Sequence, residues 1–377
     1  MKILIAGDFC QGCRVDPLVK ERRYGELFDE VKPIIESADY SIVNFEFPVV
    51  LDKDAAHPIP KCGPNLEGTI EAVEAVKYAG FKCCTLANNH ILDQGEQCCL
   101  DTKNELEKAG VDTVGVGSNL SEAGNILYKE IDGETLAIIN CCEHEFSIAT
   151  ETSAGANPLN PVRQYYAIQE AKKKADYVLV IVHGGHEHFQ LTSPRMQETY
   201  RFFIDAGADA VVNHHQHCYS GYDVYYDKPI FYGLGNFCFD KPGSRNGIWN
   251  EGYMVVLLFG QHQKIEYELI PYTQCNEKPS VELMKDRTTF EKKLNGLNSI
   301  ITDNSHIRNE IHKYYKTCET FEYLCLEPYS GRIMAKLYSL GLLTSFIKGK
   351  KASFILNHID CESHRDKLLF ALKNKNK

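Results

Sequence analysis

The sequence predicts an α/β fold, with a mixed sheet or two facing sheets inside a coat of helices and an α-helical segment at the C-terminus. Three observations carry this. From Lys2 to Val116, short apolar runs alternate with stretches of helical period, a βαβα rhythm. From Tyr222 to Ile270 the pattern changes to closely spaced strand-like runs, as in antiparallel structure. After about Asn276 it becomes helical throughout. The expected division is therefore a domain over 1–275 and a helical extension over 276–377.

Lys2–Ala6 reads as a buried strand ending in Gly7-Asp8, Tyr24–Ser37 as a helix, and Tyr40–Glu46 as a strand ending in a carboxylate. After a proline-punctuated loop from Pro48 to Pro64, Asn65 caps a helix through Tyr78, stopped by Gly80. Strand Phe81–Leu86, helix Gly95–Ala109 and strand Val111–Val116 complete the rhythm. Asp132-Gly133 between two strand-like runs is a type I′ hairpin signal. Glu143–Pro161 has no period and reads as a long loop beside the site. Helix Val162–Ala175, strand Tyr177–Val182, helix Ser193–Ala206 and strand Ala210–Val212 follow, and Asp227-Lys228-Pro229 reads as a turn. The expected tail helices are Ser280–Ile301, Ser305–Tyr323, Ser330–Ile347 and Ser353–Leu372.

Composition limits the function classes. A net charge of −10 argues against a general nucleic-acid binder. From Asn276 onward 18 Lys and Arg stand against 12 Asp and Glu, leaving a balance of −16 for the first 275 residues. An acidic body suits hard cations; a basic tail suits an anionic partner, although a solvated helical surface is the commoner cause of such a run. The apolar stretch from Ile333 ends in Lys348-Gly349-Lys350-Lys351, so peripheral membrane contact is the lesser reading beside packing in a helical bundle. Fifteen cysteines, several in adjacent pairs inside apolar segments, read as small hydrophobes rather than a disulfide framework. With no apolar run long enough to span a bilayer, a reducing cytoplasm is the expected compartment.

Polar clusters stand at the ends of the apolar runs: Asp8, then Asn44 and Glu46, Asn88-Asn89-His90, His183 with His186-Glu187-His188, and Asn213-His214-His215-Gln216-His217. If the strands are parallel, these clusters meet at one sheet edge. Neutral imidazole and carboxylate are common ligands for divalent metals. His215 and His217, two apart, can share one face, whereas His214 points elsewhere. His90 is placed to donate a proton, and Asp93 either orients it or caps the next helix.

At these residues the chain resembles the CapA-type capsule and poly-γ-glutamate biosynthesis proteins, a family related to the calcineurin-like metallophosphoesterases. The matching pieces are Gly7-Asp8, Asn44-Phe45-Glu46, Leu86 to Gly95, His183-Gly184-Gly185-His186-Glu187, His214-His215-Gln216-His217 and Phe231 to Asp240. The resemblance implies a two-layer β-sandwich flanked by helices with a metal centre at one edge. It suggests Asp8, Glu46, Asn89, His183, His215 and His217 as metal ligands and His90 with Asp93 as the catalytic pair. Asn44, Asn88, Glu187, His214 and Asn236 would bind substrate or support the ligands. The metallophosphoesterase opening Asp-x-His is here Asp8-Phe9-Cys10. One or two divalent ions, with Mn, Zn, Fe and Mg as candidates, are the implied cofactor.

The function this implies is a metal-dependent hydrolase of capsule or surface-polymer biosynthesis, with a metal-activated water attacking a phosphoryl or acyl centre. Its partners would be an anionic polymer, or a phosphorylated or γ-glutamyl substrate, and a capsule synthase complex. The alternative is a non-catalytic polymer-binding or assembly factor with a degenerate metal site.

Overall fold

Strand β1, Lys2–Phe9, starts the sheet that positions the site. Its side chains alternate: Ile3 and Ile5 enter one apolar cluster, Leu4 and Ala6 another on the opposite face. In the computed structural model, which describes residues 1–260, 264–329 and 331–375, the chain forms two compact units, Met1–Arg308 and Asn309–Lys377. The first takes in the strand and helix that follow residue 275.

The strands are β2 (Tyr40–Phe45), β3 (Cys83–Thr85), β4 (Asp112–Val114), β5 (Val116–Gly117), β6 (Leu127–Ile131), β7 (Glu134–Cys142), β8 (Gly155–Ala156), β9 (Tyr177–His183) and β10 (Ala210–His214). Then come β11 (Tyr222–Tyr225), β12 (Lys228–Phe231), β13 (Asn236–Cys238), β14 (Glu251–Leu258), β15 (Glu266–Gln274) and β16 (Val281–Leu283). One sheet has the order β16-β15-β14-β1-β2-β3-β4, with β13 also on β1. The other runs β11-β12-β10-β9-β7-β6, and β5 pairs with β8 as a small ribbon. The pairs β1–β2, β2–β3, β3–β4, β7–β9, β9–β10 and β10–β12 are parallel.

The sheets face each other. Ile3, Ile5, Ile42, Val255 and Leu257 of the first share a cluster with Leu136, Ile138, Leu179, Ile181 and Val212 of the second. The outer faces carry helices: Glu71–Ala79 packs on the first sheet, Pro161–Ala171 and Pro194–Asp205 on the second. This is the expected two-layer sandwich flanked by helices. Burying each of these Val, Leu and Ile side chains contributes about 1.5–3 kcal/mol.

Several expected elements differ. The single helix over 24–37 is two short ones, Gly25–Phe28 and Lys32–Glu36, because Pro33 suits a first turn and not an interior. Asn65 caps nothing; its amide donates to Ile59 O, and the helix begins at Glu71. The 227–229 turn is Tyr226-Asp227, both at positive φ, with Pro229 inside β12. β8, β13 and β16 are strands the sequence does not predict; β8 pairs with β5 inside the stretch expected as a loop over 143–161, and β16 replaces the first turns of the helix expected over 280–301, which starts at Thr288.

In the second unit, α-helix Arg332–Ser339 stops at Leu340-Gly341, where Gly341 has φ +71°, well short of the expected Ile347. The expected start of that helix, Ser330, lies outside the described residues. Helices Gly349–Asp360 and Glu362–Lys375 follow, broken at Cys361. Neither Arg332–Ser339 nor Gly349–Asp360 contains a fully buried residue; Met334, Ala335, Leu337 and Tyr338 are half-buried, and Gly349–Asp360 packs against Glu362–Lys375. No helix among the described residues is long and apolar enough to cross a membrane.

Candidate metal centre

The site lies at the carboxyl ends of parallel strands from both sheets. Asp8 is near the end of β1, Glu46 directly follows β2, and Asn88-Asn89-His90 lie just beyond β3; His183 and His214 are the last residues of β9 and β10. β1 changes partner here. Lys2–Ile5 pairs with β14, and Asp8 pairs with Asn236 of β13. Gly7 permits the change: a Cβ there would stand 1.8 Å from Gly235 O. Asp8 is thereby seated, fully buried, at the rim of the seam between the sheets.

Two groups of three ligand atoms converge. Glu46, His183 and His215 form one; Asp8, Glu46 and His217 form the other, with the atoms of each group within 4.8 Å of one another. His183 Nε2 stands 3.0 Å from Asn89 Oδ1, 3.1 Å from His215 Nδ1 and 3.6 Å from Glu46 Oε1. Glu46 Oε1 is 3.7 Å from His217 Nε2, and Asp8 Oδ2 is 3.8 Å from His217 Nδ1. Ligands about 2.1 Å from one metal ion stand about 3.0–3.4 Å from each other, so the first group has the dimensions of a coordination shell. Glu46 Oε1 is buried and accepts no hydrogen bond, an orphan that a cation would satisfy. Oxygen and imidazole donors together suit Mn, Zn or Fe; Mg prefers an all-oxygen shell. The residues fit a divalent cation.

Electrostatics agree. Burial pushes the Asp8 carboxyl up to about 7, against hydrogen bonds from Asn44 and the His215 backbone N–H that favour its charged form. Burial, and then the neighbouring Asp8, raise Glu46 well above the usual carboxylate range. Burial, followed by the surrounding imidazoles, lowers His183 and His217 well below the ordinary histidine value. A positive charge at the centre would reverse the carboxylate shifts and use the neutral imidazoles as they stand.

Supporting contacts set the ligands. Asn44 Nδ2 donates to Asp8 Oδ1 at 2.8 Å and reaches Glu46 Oε2 at 3.4 Å. Asn236 Oδ1 is 2.9 Å from His217 Nδ1, which assigns the proton to Nδ1 and frees Nε2 as a ligand atom. Asn88 Oδ1 accepts from the His90 backbone N–H and its amide donates to Phe45 O, shaping the turn. His214 faces away from both groups. Its Nε2 donates to Ala6 O at 3.0 Å, tying β10 to β1, and burial lowers its pKa to about 4. Glu187 is exposed, 3.9 Å from His188, beyond the Gly184-Gly185 turn and outside both ligand groups.

His215 and His217 do not share a strand face, because β10 ends at His214. Both have left-handed backbones, φ +89° and +54°, a conformation costing about 1–3 kcal/mol each that persists where surroundings enforce it. They belong to different ligand groups, joined through Glu46.

His90 lies beside the centre with Nδ1 2.6 Å from Asp93 Oδ2. Asp93 also accepts from Leu66 N and forms an ion pair with Lys61, so it is an orienting group; the next helix has Gly95 as its cap. Lys61 was not expected. Its side chain is 1% exposed, with Nζ 3.1 Å from His90 Nδ1 and over the Phe146 ring. Cys10 packs in the outer core, its thiol pushed well up by burial, and belongs to neither group.

Residues 2–241 match the family model of the bacterial capsule synthesis protein PGA_cap. The chain belongs to this family. Among PGA_cap relatives, the capsule biosynthesis protein CapA of Bacillus anthracis is 35% identical over 253 residues, 65% of this chain and 61% of that one. The PGA biosynthesis protein CapA of Bacillus subtilis (strain 168) is 34% identical over 242 residues, 63% of each. The chain thus spans under two thirds of the length of these relatives. A solved 5'-nucleotidase precursor from Thermus thermophilus aligns with a TM-score of 0.45 at 10% identity, over 75% of this chain and 54% of that one. The expected CapA-type membership is met.

The only tryptophan of this PGA_cap chain, Trp249, sits 4.8 Å from the His217 ring. Adding Mn²⁺ to metal-free protein should quench its emission. The midpoint should fall to lower metal concentration as pH rises through about 7, because Asp8 must give up its proton to bind. An emission unchanged by any divalent ion would exclude a cation at His217.

Proposed function

We propose that this chain is a metal-dependent hydrolase serving capsule or poly-γ-glutamate biosynthesis, cleaving a phosphoryl or acyl bond of an anionic substrate. The supporting observation is the orphaned Glu46 Oε1 between two groups of buried ligand atoms. Glu46, His183, His215 and Asn89 would hold one cation, and Asp8, Glu46 and His217 a second. Such a cation supplies Lewis-acid polarisation of a phosphoryl or acyl oxygen.

The chain's own residues do the rest. Asn44 keeps both carboxylates turned toward the centre, and Asn236 holds His217 in the ligating tautomer. His90, anchored at Nδ1 by Asp93, carries a proton on Nε2 to the departing oxygen or nitrogen. The Glu143–Pro161 loop places Glu145 3.7 Å from His215 Nε2 at the mouth. Gly185 N–H and Arg195 together outweigh the burial of Glu143 and hold its carboxyl below the usual range, so it stays charged beside the Gly184-Gly185 turn.

The test is metal analysis of the purified chain, followed by turnover on a panel of phosphate esters and γ-glutamyl compounds. Bound transition metal with metal-dependent turnover is expected. No bound metal, and no turnover lost in His90→Ala, would overturn the proposal. Metal bound without turnover on any panel member would favour a polymer-binding or assembly factor.

A further inference from the structure

The second unit displays its apolar side chains. Ile333 is 77% exposed, Leu340 62%, Leu342 68% and Phe346 54%. Ile333 and Leu340 are seven residues apart, two turns on one face of helix Arg332–Ser339 and its cap. Water-exposed clusters of this kind mark interaction surfaces.

The surface is held in place. Glu327, itself buried, accepts from the Phe346 backbone N–H at 2.9 Å and from Ser345 Oγ and Tyr338 Oη. Tyr329 Oη donates to Thr344 O at 2.6 Å, and the Tyr329 ring stands 5.9 Å from both Tyr338 and Phe346. The 340–347 turn is therefore pinned from beneath, and Leu340, Leu342 and Phe346 project from a fixed support.

Charge names the occupant. Residues 331–351 contain Arg332, Lys336, Lys348, Lys350 and Lys351 and no Asp or Glu. The acid beneath, Glu327, is consumed by the turn it pins. Twelve Lys and Arg stand against seven Asp and Glu from residue 309 to the end, although the whole chain is acidic. Exposed Leu and Phe interspersed with unopposed cations are what an anionic lipid leaflet takes up, the apolar tips entering the acyl boundary and the cations meeting headgroup phosphates. We propose that residues 331–351 form a peripheral docking surface for an anionic bilayer leaflet.

The test is flotation of the full chain with vesicles of neutral phosphatidylcholine, alone or with about one third phosphatidylglycerol. Binding is expected to the mixed vesicles, to weaken with added salt, and to fall about tenfold or more in K348E/K350E/K351E. L340S/L342S should lose binding at unchanged charge. All five positions are exposed, so far-ultraviolet circular dichroism should stay as in the parent chain. Equal binding to neutral vesicles, or binding retained in both variants, would overturn the proposal. So would a chain that self-associates and becomes monomeric in L340S/L342S without any vesicle binding, since a second copy would then be the occupant.

Discussion

Replacing Glu46 by glutamine should abolish metal retention and, with it, turnover. Its Oε1 is the atom shared by both ligand groups, so one substitution weakens both. Outer-shell changes alone typically cost 10–100-fold in metal affinity; loss of a shared ligand should cost at least about 100-fold. The stability readout has the opposite sign. Burial makes the ionised Glu46 and Asp8 unfavourable without a cation. Asp8, near 7 in the fold and near 4 in an unfolded chain, remains protonated in the fold while the unfolded chain ionises. Metal-free protein should therefore lose stability as pH rises across that window, and Glu46→Gln should be no less stable than the parent in chelator. With metal at about 100 times its Kd the parent should gain about 2.7 kcal/mol, and the variant almost none. Thermal melts with and without chelator check this. A variant stabilised by metal as fully as the parent would remove Glu46 from the centre.

His90→Ala should separate chemistry from metal binding. Metal content should stay at the parent level, because His90 is in neither group. Removal of a general acid costs about 10²–10⁴-fold in kcat. The loss should be largest for alkoxide or amine leaving groups and should shrink for nitrophenolate, which departs without a proton. A loss equal for all leaving groups would give His90 a binding role instead. Asp93→Asn should follow the same leaving-group pattern more weakly, since Asp93 acts through the His90 Nδ1 contact.

The sandwich and the edge where the candidate ligands gather were legible because the strands are apolar and bounded by polar clusters. Asp132-Gly133 became the expected hairpin, both residues at positive φ. What escaped was short or distant. β13 is three residues, too brief for a period to register. Lys61 sits in an aperiodic, proline-rich loop, where a lysine reads as solvated surface; its partner Asp93 is 32 residues away. Strand alternation predicts that His215 and His217 share a face, yet left-handed turns beyond the strand end bring them to the candidate centre. Sequence spacing singles out the candidate residues but does not carry the turn geometry that joins them.

Both ligand groups draw on the same mid-chain stretch, His215 to His217. Asp8 and the His215 backbone it meets are 207 residues apart, and closing a loop of that length costs an unfolded chain about 5 kcal/mol of entropy. During synthesis, which proceeds from the N-terminus, Asp8, Glu46 and His183 emerge well before either group can be complete. Neither exists until residue 215 has been made and the second sheet has docked on the first. A cation at this centre would therefore latch the two sheets together, and a nascent chain interrupted before His215 would complete neither group.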